Sequence, residues 1–364
     1  MSRPELQLIV AGDPGQLTGG YLFDARIVAE LRVRGWKVTV TGLAGRFPDP
    51  DDDARRSLDA ALAGLPDGAR VVIDGLALGG LPDVVACHAA RLDLTALIHH
   101  PLADESGLQT ADRERLFASE RRALALVSRV IVTSAHTARG LSRYGVSAER
   151  VRVVEPGVEP APLATSARAD VPDTGGKRLL CVATLTPRKG HDRLIEALAG
   201  LTDRDWHLDL VGSPARDPVW AQRLFTAARQ CRLTERVTWH GELDGERLDE
   251  LWQAADLGVL ASRYEGFGMV VSEALARGLP VIATTGGALV DTLPPEAGLA
   301  VPPDDATALR TALARWLDEP ALRRRLRDGA RAARQRLTDW PIAGARFAEA
   351  LDATPVMSTG TESS

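Results

Sequence analysis

Residues 260–287 read LASRYEGFGMVVSEALARGLPVIATTGG. The run LGVLAS (257–262) leads in as a short apolar strand. The chain then turns through Glu265-Gly266-Phe267-Gly268, and a helical pattern follows over 268–277. The run PVIATT (280–285) opens a second strand. Apolar runs of four to six residues on either side of a helix are parallel strands buried on both faces, so this stretch is a βαβ unit.

The same grammar extends outward in both directions. In the second half, strands are predicted at 178–184, 206–212, 236–241, 257–262, 280–285 and 298–303, and helices near 189–200, 216–231, 244–254, 268–277 and 304–318. The first half repeats it. Strands fall at 7–12, 36–43, 69–75, 94–100, 129–134 and 150–157, and helices near 20–34, 52–64, 111–127 and 135–144. The chain has 364 residues, more than one core comfortably serves. The fold class is therefore α/β, with two Rossmann-like doubly wound domains facing across a cleft. The domains are placed at 1–160 and 177–338, with a Pro/Ala/Asp/Gly-rich linker at 161–176. A final helix over 339–354 precedes a disordered tail at 355–364.

Composition narrows the function class. A formal net charge of −5 disfavours a bulk-basic nucleic-acid binder. Cys87, Cys181 and Cys231 are far apart and form no CxxC pair, which fits a reducing, cytoplasmic compartment. No apolar run approaches the roughly 20 residues of a membrane span. The stretch DRERLFASERRALALVSR (112–129) is basic and amphipathic, so it is either a plain surface helix or a peripheral contact with an anionic membrane.

The motifs lie at strand ends. In 260–287, glycines let backbone N–H groups approach a ligand, and the helix start favours an anion such as a diphosphate. Glu273 can accept the hydroxyl protons of a ribose, and Glu265 those of a sugar. Taken alone, the pair reads instead as a helix cap at Glu265 and a solvated helix residue at Glu273. In CVATLTPRKGHDRLIEAL (181–198), Arg188 and Lys189 can neutralise a diphosphate, and Gly190 permits close approach. An exposed basic turn is the alternative. In AGDPGQLTGGYLFDAR (11–26), Gly19 and Gly20 open a helix, but there is no GxGxxG fingerprint for a dinucleotide. In ALIHHPLADESGL (96–108), His99 and His100 are adjacent, with Asp104 and Glu105 nearby. A metal pair is conceivable there, although HH-x3-DE matches no metal motif. Loop hydrogen bonding is the other reading.

The 260–287 stretch closely resembles the E-x7-E signature of family 4 retaining glycosyltransferases of the GT-B fold (glycosyl transferases group 1). Ser262, Glu265, Gly266, Gly268, Glu273, Ala274, Gly278, Pro280 and Val281 match its pattern. The basic turn resembles the family's G-R-L-x-x-x-K-G segment through Lys189 and Gly190. The family's arginine falls at Thr184, and Arg188 is offered in its place. The resemblance implies catalytic roles for His100, Lys189 and Glu265. It implies substrate binding by Gly19, Gly20, Arg188, Gly190, Gly241, Glu242, Gly266, Phe267, Gly268, Met269, Val270 and Glu273. Gly241 and Glu242, with His240, belong to RVTWHGEL (236–243), which resembles the segment that cradles the base. His100 is preferred to His99 because it leads its loop.

The implied reaction transfers a hexose-type unit from a UDP-, GDP- or ADP-sugar to an acceptor hydroxyl, with retention. No metal or other cofactor is expected, and the final helix is expected to cross back to the first domain. Three other classes remain open: a nucleotide-sugar epimerase or hydrolase, a sugar phosphorylase, and a non-catalytic sugar-nucleotide-binding protein.

Overall fold

The computed structural model describes residues 3–167 and 176–353, so the tail at 355–364 and half of the expected linker, 168–175, lie outside the described residues. Contacts divide the chain into two units. One comprises 1–157 and 340–364, and the other 158–339.

In the first unit the strands are β1 (Glu5–Ala11), β2 (Lys37–Leu43), β3 (Arg70–Asp74), β4 (Asp93–Ile98), β5 (Arg129–Val132) and β6 (Val151–Val153). They form one parallel sheet in the order β2-β1-β3-β4-β5-β6. The chain winds outward from β1 to β2 and then returns to β3, so the winding reverses between β1 and β3. The interleaved helices are α1 (Gly19–Val33), α2 (Asp52–Ala63), α3 (Gly75–Leu78), α4 (Pro82–His88), α5 (Thr110–Ala125) and α6 (Ala135–Gly140).

Local chemistry explains the ends of these helices. Asp51 caps α2 by accepting from the Ala54 amide at 3.0 Å, and Asp52 and Asp53 follow in its first turn. Helices α3 and α4 escape the periodicity reading. Their segment, GLALGGLPDVVACHAARL, is apolar almost throughout and shows no 3.6-residue stripe.

The second unit's strands are β7 (Lys177–Val182), β8 (Trp206–Val211), β9 (Val237–Gly241), β10 (Leu257–Leu260), β11 (Val281–Thr284) and β12 (Gly298–Val301). Their order is β12-β11-β10-β7-β8-β9, all parallel. Here the winding reverses between β7 and β10. The helices are α7 (His191–Ala199), α8 (Pro218–Gln230), α9 (Gly245–Ala254), α10 (Met269–Ala276), α11 (Leu289–Thr292), α12 (Ala306–Asp318) and α13 (Pro320–Arg334). Trp252 and Trp316 are fully buried in the core these elements enclose. Burial of such side chains contributes roughly 1.5–3 kcal/mol each.

Val158–Ala167 is fastened to this second unit. The Val158 amide donates to the Thr338 carbonyl and the Ala164 amide to that of Arg277, each at 2.9 Å. The Ser166 hydroxyl donates to the Ala255 carbonyl at 2.8 Å.

After α13 the chain returns to the first unit as α14 (Trp340–Asp352), which packs along α1. Phe23 meets Trp340 and Phe347 with ring centroids 6.1 and 6.4 Å apart. A Cβ on Gly344 would lie 2.3 Å from that of Glu30, so only glycine lets the two helices approach this closely. No helix among the described residues is long and apolar enough to cross a membrane.

Candidate functional site

The reversal of winding in the second unit puts the ends of β7 and β10 side by side, where sheets of this kind bind ligands. The turn after β7 carries Arg188 and Lys189, and the turn after β10 carries Glu265. The two turns are clamped together. Gly190 has φ +66°, and a Cβ there would stand 2.0 Å from the Ala261 carbonyl oxygen, so no other residue allows this approach. The same left-handed residue delays α7, whose first residue is His191 rather than the predicted 189.

Glu265 is 6% exposed, and α10 has no side-chain cap, so this carboxylate is buried and does not cap that helix. Lys189 Nζ lies 2.5 Å from its Oε1, and an Arg188 guanidinium nitrogen lies 3.4 Å from its Oε2. Ser262 Oγ donates to Oε1 at 2.6 Å. The same Arg188 nitrogen donates to the Tyr264 carbonyl at 3.0 Å. Burial alone would raise the Glu265 carboxyl, but Lys189, Arg188 and the hydrogen bonds from Lys189 and Ser262 outweigh it and hold it at about 2. Burial also lowers Lys189, against the attraction of Glu265. Cys181 lies buried beneath, its thiol pushed up to about 12 chiefly by burial.

The Glu265 backbone is fixed as firmly as its carboxylate. It bridges Gly287, and the Ala288 amide donates to the Glu265 carbonyl at 2.8 Å. A Cβ on Gly287 would lie 2.3 Å from that carbonyl oxygen. The turn continues through Gly266 and Phe267, whose carbonyl accepts from Thr292 Oγ1 at 2.6 Å. Gly268 then takes φ +91° and starts α10 at Met269 and Val270. First-turn amides have no partner inside a helix, so this end can receive an anion. Glu273 lies in α10, half-buried, and its carboxyl is pushed up by burial, with Arg277 opposing and Asp249 adding. Glu273 is thus separate from the cation cluster around Glu265.

At the end of β9, Gly241 has φ +70° with open space on its Cβ side, and Glu242 is exposed. His240 Nε2 is 2.8 Å from Asp209 Oδ1, and an Arg178 nitrogen is 2.7 Å from Oδ2. Asp209 was not singled out from the sequence. The cue was an acid inside the apolar run WHLDLVG.

The first unit shows a second cluster, also where its winding reverses. Gly19 and Gly20 begin α1, and a Cβ on Gly20 would lie 3.2 Å from the His99 ring. His99 Nε2 stands 3.2 Å from Asp24 Oδ1 and 3.6 Å from Asp74 Oδ2. Burial lowers His99, but Asp24 and then Asp74 raise it above its usual range overall. Burial raises Asp74 to about 6, with His99 opposing and Asp24 adding. Among the described residues, Asp24, Asp74 and His99 are the group whose ligand atoms lie close enough to share a metal ion. The same geometry suits an imidazolium held between two carboxylates. His100 points elsewhere, its Nε2 being 3.3 Å from Glu105 Oε2. Gly20 therefore adjoins His99, not His100. Sequence reading passed over Asp24, although it interrupts the buried stripe Phe23, Ile27, Val28 and Leu31.

Two family models match the chain. The model for glycosyl transferases group 1 covers residues 165–333, and that for glycosyltransferase family 4 covers 25–161. A D-inositol 3-phosphate glycosyltransferase of Xylanimonas cellulosilytica is 31% identical over 239 residues, covering 62% of this chain and 57% of that protein. An MMP alpha-(1->4)-mannosyltransferase of Mycolicibacterium hassiacum is 29% identical over 329 residues, covering 85% and 76%. The match thus spans little more than half the length of the first of these relatives. Among solved structures, sucrose-phosphate synthase from Thermosynechococcus elongatus has a TM-score of 0.79 and 26% identity, covering 95% of this chain and 98% of that one. Anabaena HepE, solved with UDP and glucose, shares the fold with a TM-score of 0.75 and 18% identity, covering 96% and 100%. With a matching model over each half and a GT-B sheet pair beneath them, the chain belongs to the family 4 glycosyltransferases.

Proposed function

We propose that the protein is a retaining glycosyltransferase that moves a hexose-type sugar from a nucleoside-diphosphate donor to an acceptor hydroxyl without a metal ion. The observation that carries this reading is the pair of cations, Arg188 and Lys189, held on the buried Glu265 carboxylate at the switch point of the second unit.

Breaking the bond between the sugar and the diphosphate puts negative charge on the leaving oxygen. Fixed cations and first-turn amides stabilise that charge best when they are already oriented. Lys189, Arg188 and the amides at Met269 and Val270 would take this part. Gly190 and Gly268 set the left-handed turns that bring these groups together, Gly266 lies in the same turn as Gly268, and Phe267 holds it. Glu265 would hold hydroxyls of the transferred sugar, Glu273 those of the ribose, and Gly241 with Glu242 the base. In the first unit, Gly19 and Gly20 are assigned to the acceptor side together with His99, which lies against Gly20, in place of His100, which faces Glu105. A retaining hydrolase places a free carboxylate opposite the leaving group. Glu265 is instead tied to two cations, which suits attack from the leaving-group face, with the departing phosphate taking the acceptor proton. The three free cysteines suit work in the reducing cytoplasm.

A thermal-shift panel of UDP-, GDP- and ADP-sugars tests the donor. One of them should stabilise the chain, and the same sugar nucleotide should be consumed only when a hydroxyl acceptor is present. HepE was solved with UDP, which makes the UDP-sugars the first members of the panel. Stabilisation by none of the three would overturn the reading.

A further inference from the structure

We propose that Arg263 is a positioning residue: locked between Asp192 and Asp304, its guanidinium sets where Arg188 and Lys189 point and so how well the site takes a diphosphate. The inference rests on the donor reading above.

Arg263 lies between two residues that handle the cation cluster, Ser262 and Tyr264, yet its own side chain turns away from Glu265. Its amide donates to the Arg188 carbonyl at 2.7 Å. Its guanidinium forms a fork on Asp192, at 3.1 Å to Oδ1 and 2.8 Å to Oδ2. One fork nitrogen also donates to the Pro187 carbonyl. Nε donates to Asp304 Oδ1 at 2.8 Å. Main chain and side chain of one residue therefore grip both Pro187 and Arg188, the two residues leading to Lys189.

The anchors are themselves fixed. Asp192 sits in the first turn of α7, where the helix dipole favours an anion. Asp304 holds φ +59°, a left-handed backbone unusual outside glycine, and is shared with Arg193 at 3.3 Å. On the other side, a Cβ on Gly286 would lie 2.4 Å from the Arg263 carbonyl oxygen, so the 285–287 loop closes against this residue's backbone. Arg188 and Lys189 have long flexible side chains, and flexible cations lose their advantage when their base wanders. Only a planar fork meets one carboxylate with two nitrogens while a third bond reaches elsewhere, and lysine cannot do this. Arg263→Lys therefore keeps the charge and removes the geometry.

The test compares wild type, Arg263→Lys and Asp192→Asn in the full chain, with Arg204→Lys as a control. Arg204 forks on exposed Asp318 in the same unit. Calorimetry measures affinity for UDP, GDP and ADP, and for uridine, guanosine and adenosine, while melting temperatures report folding. Arg263→Lys and Asp192→Asn should each weaken the preferred nucleoside diphosphate about 10- to 100-fold while leaving its nucleoside unchanged, and Arg204→Lys should do neither. Unchanged diphosphate affinity in both variants, or equal losses for nucleoside and diphosphate, overturns the positioning role and leaves the donor reading standing. Failure of the wild type to bind any of the three diphosphates overturns the donor reading and this inference with it.

Discussion

Lys189 Nζ and Glu265 Oε1 lie 2.5 Å apart, across 76 residues of chain. A buried carboxylate between two cations is costly to desolvate and strongly destabilised if one partner is removed. Such an arrangement makes sense at a site whose occupant brings charge of its own. A diphosphate would share the cations with Glu265.

Lys189→Ala should therefore lower kcat about 100- to 1000-fold, the usual cost of removing one oriented group that stabilises a leaving oxygen. Glu273→Ala should act differently, raising the donor KM about 10- to 100-fold with a smaller change in kcat, as for a lost charged hydrogen bond. Steady-state kinetics with the donor found by the panel separates the two. Wild-type rates in both variants would remove both residues from the site.

Acid should loosen the second unit. Glu265 sits at about 2 in the folded chain against an ordinary 4.5, so the folded state gains from its ionisation. That gain is present above about pH 4.5 and is lost as pH falls toward 2. Thermal unfolding followed across this window should show a falling melting temperature, and Glu265→Gln should flatten the slope there. An identical slope in the variant would refute the assignment.

Rising pH should act on the first unit through Glu120. This carboxyl is fully buried on α5, accepts the Leu102 amide at 3.0 Å and has the Tyr144 hydroxyl beside it. Burial raises it to about 8, with the Leu102 amide and Tyr144 opposing, Asp104 adding and Arg143 opposing. A raised carboxyl favours the folded state in its protonated form. Its contribution is complete below 4.5 and disappears as pH rises through 8. Glu120→Gln should keep the first unit's melting temperature level between about pH 5 and 8, where the wild type declines. A decline of equal size in both would exclude Glu120 as the cause.

Turnover should survive excess EDTA, since Arg188, Lys189 and helix amides are proposed to supply the positive charge. A strict requirement for an added divalent ion would contradict this. Asp24, Asp74 and His99 would then be the first residues to substitute, because their ligand atoms all lie within 4.8 Å of one another.

Much of this was legible in the chain. The strands announce themselves because strands covered on both faces must be largely apolar, as β10 and β11 are, while β8 carries Asp209 and the edge strand β9 reads VTWHG. The stretch around Glu265 and Glu273 stood out because its glycines, turn and helix are contiguous. Helices α3 and α4 were silent because a segment apolar all round carries no period. Asp24, Asp74, Asp192, Asp209 and Arg263 were passed over for a different reason. Each acts through a partner on another element, and no spacing along the chain records that.

The division of information follows from this. Sequence alone determined the alternation of strand and helix, the two α/β halves and the E-x7-E turn, because each depends on neighbours a few residues apart. Only the tertiary structure decided that Lys189 and Arg188 share the Glu265 carboxylate, that His99 rather than His100 lies against Gly20, and that Arg263 grips the Lys189 turn. Those outcomes depend on which strand ends the winding brings together, and a switch point is a property of strand order in space.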